Sequence, residues 1–368
     1  MTATLTVESS VESQSRDTRT ERIPVAVLGA TGSVGQRFVQ LLENHPWFRL
    51  HEVVASERSA GKAYAAAADW RLESLLPKSA SSLVVKDLGA DLESRLLFSG
   101  LDSSVAGEAE DLYAGRGCAV ITNSRNHRMD DDVPLLIPEI NADHVDAIQQ
   151  QRKRRPGYIV TNPNCSVMGL ALALAPLERQ FGVEQVQVAT MQAISGAGYA
   201  GVASYAILDN VIPFIGGGEE EKIETEPRKI LGSWDGTRHV DAPMIISAQV
   251  HRVPVIDGHL MAISVKLKDK ASIEDVRAAI ESFTGEPQRL RLPFAPEHPL
   301  HYIDAPDRPQ PRLDRDRERG MAVSVGRLRP CNVLDWRMVA LVHNTIRGAA
   351  GAAILNAELL QARGLLSE

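Results

Sequence analysis

Cysteine is scarce in this sequence. Cys118, Cys165 and Cys331 are the only three, far apart and with no Cys-x-x-Cys pair, so neither a disulfide framework nor a zinc knuckle is expected, and a reducing compartment fits best. Positive charge is not in excess: 40 Lys and Arg against 47 Asp and Glu leave a formal charge of −7, which offers no electrostatic reason to bind nucleic acid or an anionic membrane. No apolar run approaches the roughly 20 residues of a membrane span. Residues 1–21 lack the apolar core of a signal peptide, and Glu8, Glu12, Asp17 and Glu21 argue against an acid-poor transit peptide. The expectation is a soluble, cytoplasmic protein with a disordered tail over 1–21.

With 368 residues, the chain has room for two lobes with a cleft between them. The apolar run Ile23–Gly29, a helix-like Val34 to Leu42 and a strand-like Leu50 to Ser56 make one βαβ unit. Further apolar runs at Arg95–Ser99, Cys118–Thr122 and Tyr158–Thr161 alternate with polar helical stretches, the pattern of a doubly wound parallel sheet. Beyond residue 160 the strands lengthen and alternate: Glu184 to Ile194, Met244 to Pro254, His259 to Leu267 and Met321 to Arg329. With helices near Glu219 to Leu231 and Ile273 to Phe283, they predict a second, α+β lobe with a mixed sheet. Pro306 to Arg319 reads as a long loop, and the small-residue stretch Arg347 to Leu355 as a helix returning to the first lobe.

Three segments carry chemistry. In Thr161-Asn162-Pro163-Asn164-Cys165-Ser166-Val167, Pro163 ends a strand and Asn164 is a good N-cap, so Cys165 falls on a first helical turn where free N–H groups and the helix dipole favour the thiolate. Cys165 reads as a nucleophile. Gly29-Ala30-Thr31-Gly32-Ser33-Val34-Gly35 follows a strand and opens a helix, as a dinucleotide-binding turn requires. At the end of the second strand, Arg58 with Ser56 and Ser59 suits a 2′-phosphate, favouring NADP over NAD. In the third segment, His251 to His259, Arg252 can grip a carboxylate and His259 titrates in the useful range, while His251 should face away from Arg252. A paired-histidine metal site lacks an acid or cysteine ligand at familiar spacing, so no metal is expected. Glu219 and Lys222 share a helix face at i, i+3, as a surface ion pair or as part of a site. Ser195, Gly196 and Gly198 form either a plain turn or a close approach of backbone to cofactor.

Together these segments resemble the aspartate-β-semialdehyde dehydrogenase family, in particular its archaeal and fungal branch, from about Ile23 to the C-terminus. The family's nucleotide loop matches Gly29, Thr31, Gly32, Ser33, Val34 and Gly35. Its 2′-phosphate segment matches Ser56 to Lys62, its nucleophile segment Asn162 to Val167, and its late signature His343 to Gly351. The resemblance implies a Rossmann-type NADP-binding domain over 22–160 and 344–368, and a catalytic and dimerisation domain over 161–343. It implies Cys165 as the acyl-forming nucleophile, His259 as acid/base and Gln192 as a residue that orients substrate. Arg252 would bind the substrate carboxylate, Glu219 its amino group, Lys222 and Arg128 the phosphate. Asn164 would also border the substrate, and Asn344 the nicotinamide.

The implied reaction is the NADPH-dependent reductive dephosphorylation of L-4-aspartyl phosphate to L-aspartate 4-semialdehyde through a cysteine thioester, in lysine, threonine and methionine biosynthesis. The implied partners are these small molecules, inorganic phosphate and copies of the chain itself as homodimer or homotetramer. Related acyl reductases acting on malonyl-CoA or N-acetylglutamyl phosphate are the nearest alternative, and a cofactor-binding regulator without catalysis is a more distant one. The amino-acid grip of Glu219 and Arg252 separates the first, and joint retention of Cys165, His259, Arg252 and Gln192 the second.

Overall fold

The structure, a computed structural model, describes residues 22–366. The tail expected over 1–21 lies outside the described residues. Six strands form the first sheet: β1 (Ile23–Leu28), β2 (Phe48–Ala55), β3 (Val85–Asp87), β4 (Leu96–Ser99), β5 (Ala119–Thr122) and β6 (Tyr158–Thr161). All neighbouring pairs are parallel, in the order β3-β2-β1-β4-β5-β6. Alternation along β1 sends Val25 and Val27 into a core with Phe38 and Leu42 of the helix Ser33–Leu42, and Ala26 and Leu28 into a second core with Tyr113 and Ala114 of the helix Ser103–Gly115. The sheet is thus covered on both faces. Its order reverses between β1 and β4, which opens a crevice at their C-terminal ends, where the glycine turn lies.

The second sheet is mixed, as expected. It contains β7 (Val183–Gln192), β10 (Ile245–Arg252), β11 (His259–Leu267), β12 (Leu300–Ile303), β13 (Val323–Pro330) and β14 (Trp336–Val342), in the order β10-β7-β11-β14-β13-β12. A short hairpin, β8 (Ser233–Trp234) and β9 (His239–Val240), stands apart. The helix Cys165–Phe181 is apolar nearly all round and buried from Ser166 to Leu177, the pattern of a helix inside a core. It packs on one face of the sheet with Val186, Val188, Met261 and Ile263. The other face of the sheet is less covered, with Ile245, Ser247 and Gln249 exposed on β10.

Two expectations need correction. Pro306 to Arg319 is not a plain loop: it holds a short helix, Pro311–Asp314, and a 3₁₀ turn, Arg317–Gly320. The fully buried Asp314 carboxylate organises it by accepting from Arg308, Arg317 and the Gln310 N–H, a local pairing that composition does not reveal. The C-terminal segment is likewise not one helix from Arg347. Ile346–Ala350 is a π-helical turn, and the α-helix runs over Gly351–Ala362. That helix does return to the first sheet, with Ala353, Ile354 and Ala357 in the same core as Val25 and Phe38.

Candidate active site

Asn164 caps the Cys165 helix, its Oδ1 accepting from Ser166 N at 2.8 Å and Val167 N at 3.3 Å. Cys165 Sγ lies 3.2 Å from Nε2 of His259, the first residue of β11. Ala193 N donates to His259 Nδ1 at 3.1 Å. The helix start, which favours the thiolate, is outweighed by the surroundings of the sulfur. Burial pushes the Cys165 thiol up to about 12, Glu219 adds to the rise, and Arg128, Arg252 and the Ser166 N–H oppose it only in part. Burial, with Arg252 and His343 acting in the same direction, brings His259 down to about 3. Both shifts favour the neutral forms of sulfur and imidazole. His251 accepts no role beside them: it meets Thr190 O at 3.2 Å while Arg252 is buried, as strand alternation requires.

Cys165 is partly exposed, on a cleft of about 640 Å³ between the two sheets. The lining brings together Gly32, Ser33 and Val34 of the glycine turn with Asn164, Gln192, Ser195, Gly196, Gly198, Arg128, Glu219, Lys222, Arg252 and Asn344. Glu219 and Lys222 are paired at 3.2 Å, and Asn164 Nδ2 donates to Glu219 at 2.9 Å. Arg252 Nη1 donates to Ala193 O at 2.6 Å. Gln192 Nε2 donates to Thr190 Oγ1 at 3.2 Å. Asn344 Oδ1 accepts from Gly258 N and its Nδ2 donates to Ser195 Oγ, both at 2.8 Å.

Sequence reasoning missed Glu226. Buried among these residues, its carboxylate accepts from Arg128 Nη1 at 2.8 Å and from Asn164 N at 2.7 Å, tying the arginine to the helix that carries the sulfur. Its spacing, i+7 from Glu219 on one helix, was the available signal. Gly348 was missed as well. A Cβ there would fall 2.8 Å from Cys165 Cβ, so only hydrogen leaves room for the nucleophile. Arg125 lines the cleft too, donating to Gly217 O at 2.9 Å.

The glycine turn fits a dinucleotide. Gly29 has φ +73°, and a Cβ on Gly35 would lie 2.1 Å from Gly29 O, so the tight turn and the close helix approach both need glycine. The helix starting at Ser33 has no side-chain cap, which leaves first-turn N–H groups available to a pyrophosphate. Thr31 sits within the turn, its carbonyl accepting from Gln36 Nε2 at 3.1 Å. Ser56, Arg58 and Ser59 lie outside the cleft lining, just after β2, the strand next to β1. Arg58 is exposed and has no carboxylate partner among the described residues, which suits a phosphate ligand.

Residues 24–148 match the NAD-binding domain of semialdehyde dehydrogenase, and residues 174–347 match its dimerisation domain. The aspartate-semialdehyde dehydrogenase of Schizosaccharomyces pombe is 48% identical over 353 residues, covering 93% of this chain and 99% of its own. This chain belongs to the aspartate-semialdehyde dehydrogenase family. The family member from Methanothermobacter thermautotrophicus is 50% identical over 344 residues, 92% of this chain and 99% of its own, so both the archaeal and the fungal branch are represented. Among solved structures, the aspartate-semialdehyde dehydrogenase of Candida albicans, crystallised with NADP, superposes with a TM-score of 0.86 at 43% identity, covering 94% of this chain and 99% of that one.

Proposed function

We propose that this chain reduces L-4-aspartyl phosphate to L-aspartate 4-semialdehyde with release of phosphate, using NADPH. The observation that carries this reading is the Cys165–His259 pair, 3.2 Å apart, at a cleft that also holds Arg252 and Glu219 and reaches the glycine turn. Arg252 takes the α-carboxylate and Glu219 the ammonium, a grip a CoA thioester does not need. Glu219 now holds Lys222. Substrate ammonium competing for Glu219 would release Lys222 toward the phosphate, coupling amino-acid recognition to leaving-group stabilisation. Arg128, held by Glu226 and by Asn123 O at 2.7 Å, contributes the field of a fixed guanidinium, and Gln192 orients the acyl group.

Attack of the Cys165 sulfur on the acyl carbon expels phosphate and leaves a thioester. The Cys165 N–H, which the Asn164 cap does not take up, and the His259 imidazole stabilise charge on the acyl oxygen. Bound NADPH, held by the Gly29–Gly35 turn, by Ser195, Gly196, Gly198 and Asn344, and by Ser56, Arg58 and Ser59 at its 2′-phosphate, supplies the hydride that takes the thioester to the aldehyde level.

The cofactor-binding unit comprises 22–160 and 344–368, and the catalytic and dimerisation unit 161–343. We further propose a cytoplasmic homodimer or homotetramer, joined through the less covered face of the second sheet. The test is a panel of substrates with NADP and NAD, with and without inorganic phosphate. Phosphate-dependent NADPH formation from L-aspartate semialdehyde, lost in Cys165→Ala, is expected. Turnover of malonyl-CoA or N-acetylglutamyl phosphate in its place would overturn the assignment.

A further inference from the structure

Glu219, Lys222, Glu226 and Lys229 of the helix Glu219–Ile230 lie on one stripe, less than a quarter of its circumference wide. Glu219 and Lys222 line the cleft, and Glu226 holds Arg128 and the Asn164 N–H. Lys229, further along the same stripe, is 2% exposed. Its ammonium donates to Arg128 O at 2.8 Å, Asp130 O at 2.7 Å and Val133 O at 2.9 Å, which uses every hydrogen it has. All three carbonyls belong to the segment 123–133 that follows β5, a run of turns with no helix or strand of its own. One helix therefore grips residue 128 at both ends, the guanidinium through Glu226 and the main chain through Lys229. A buried ammonium is costly unless its surroundings are organised around it, and here that arrangement fixes the loop against the helix bearing Glu219 and Lys222.

Building on the proposed function, we infer that Lys229 is a positioning residue for the phosphate: by clamping the loop carbonyls it sets where the Arg128 charge stands when phosphate binds or leaves. The pull of a guanidinium on a phosphate depends on the distance at which it is held, and in a water-poor wall a small displacement is strongly felt. Without the ammonium, the carbonyls of Arg128, Asp130 and Val133 are left unpaired in the interior. The loop then shifts toward water and takes the Arg128 main chain with it, because Glu226 holds only the far end of that side chain. The amino-acid grip has other supports, Asn164 and Lys222 for Glu219 and Ala193 O for Arg252, so phosphate binding is the step that suffers. The clamp also titrates. Burial brings the Lys229 ammonium down to about 8, while Asp130, Asp131, Asp241 and Asp132 oppose the fall. His144, from the 3₁₀ turn Ala142–Ala147, and His239, from β9, also act on it, and burial lowers both. A free amine has fewer hydrogens than the carbonyls it must serve and turns its lone pair on one of them, so the clamp loosens as pH rises through about 8.

The test is steady-state oxidation of L-aspartate semialdehyde by the full chain, with inorganic phosphate, semialdehyde and NADP varied in turn. Lys229→Met keeps the reach of the side chain and drops its charge. It should raise the KM for phosphate about tenfold or more and leave the KM values for semialdehyde and NADP within about threefold. In the wild type the phosphate KM should climb above about pH 8, where phosphate is already the dianion, whereas in Lys229→Met it should be high and level. An unchanged phosphate KM in Lys229→Met, or an equal rise in all the KM values, overturns the inference. Should that variant fail to fold, the wild-type profile decides, and a phosphate KM that stays flat through about pH 8 overturns it. A wild-type chain inactive with L-aspartate semialdehyde and phosphate would sink the functional reading instead. Hydrogen exchange in the segment 123–133 then judges the clamp on its own: faster exchange in Lys229→Met is expected, and equal exchange overturns it.

Discussion

Gly348→Ala tests how tightly the reaction depends on the placing of one sulfur. Gly348 lies in the buried π-helical turn, and its backbone is not in the left-handed region, so alanine fits the chain and acts only through its methyl group. That carbon would sit 2.8 Å from Cys165 Cβ and 3.1 Å from Cys165 Cα, whereas carbons at rest stay about 3.5 Å or more apart. Relief requires a shift of about 0.7 Å, and the head of the Cys165 helix has to take much of it because the turn is itself anchored. Arg347 is gripped by Glu139 through two bonds of 2.8 and 2.6 Å, and Ala349 O accepts from Asn162 at 2.9 Å.

Overpacking of this kind costs about 1–3 kcal/mol in stability, while a 1 Å misplacement of reacting groups costs about 10²-fold in rate, close to 2.7 kcal/mol. The expected result is a fall of about 10²-fold in kcat, with NADP affinity changed far less and a folded protein by thermal melting. Gly115→Ala, at a helix end with nothing within 4 Å of the new carbon, is the control and should behave as wild type. A Gly348→Ala enzyme within about threefold of wild-type kcat would refute the steric argument.

Iodoacetamide labelling of the unliganded chain should speed up about tenfold per pH unit at Cys165 between pH 6 and 9 without a plateau, since the thiol is held high. Peptide mapping is needed because Cys331, which the Leu334 and Val333 N–H groups lower, will label earlier; a Cys165 plateau below pH 8 would contradict the raised thiol. Arg58→Ala should cut the preference for NADP over NAD by about 10- to 100-fold, the worth of one or two charge-assisted hydrogen bonds, and an unchanged ratio of kcat/KM values would remove Arg58 from the 2′-phosphate site.

Burial tends to raise the Glu52 carboxyl, but Lys86 at 2.7 Å and the Ser94 and Glu93 N–H groups outweigh it and bring it down to about 2. A depressed carboxyl stabilises the fold above its unfolded value of 4.5 and loses that contribution as pH falls toward 2. Glu52→Gln should therefore destabilise by about 2–3 kcal/mol at pH 7 and by much less at pH 3 in urea titrations; an equal loss at both values would contradict the sign.

Local signals carried most of what sequence reasoning reached. The Asn164 cap, the glycine turn and the Glu219 helix are each specified within a few residues, and apolar runs and period-two alternation were enough for both sheets. What escaped is non-local. Glu139 and Arg347 form a fully buried ion pair 208 residues apart, and Glu226 reaches back to Arg128, 98 residues before it. The upward pull on the Cys165 thiol escaped for a related reason. The helix start is visible in Asn164-Cys165-Ser166, but burial and the Glu219 charge, which overrule it, come from a different segment of chain.

The polypeptide passes from the first sheet to the second through β6 into the Cys165 helix, and goes back from β14 through the π-helical turn into the C-terminal helix. These two covalent tethers touch where Gly348 lies against Cys165. The sulfur therefore sits at the seam where the outgoing and returning crossings of the chain meet, so its position is set by both crossings at once.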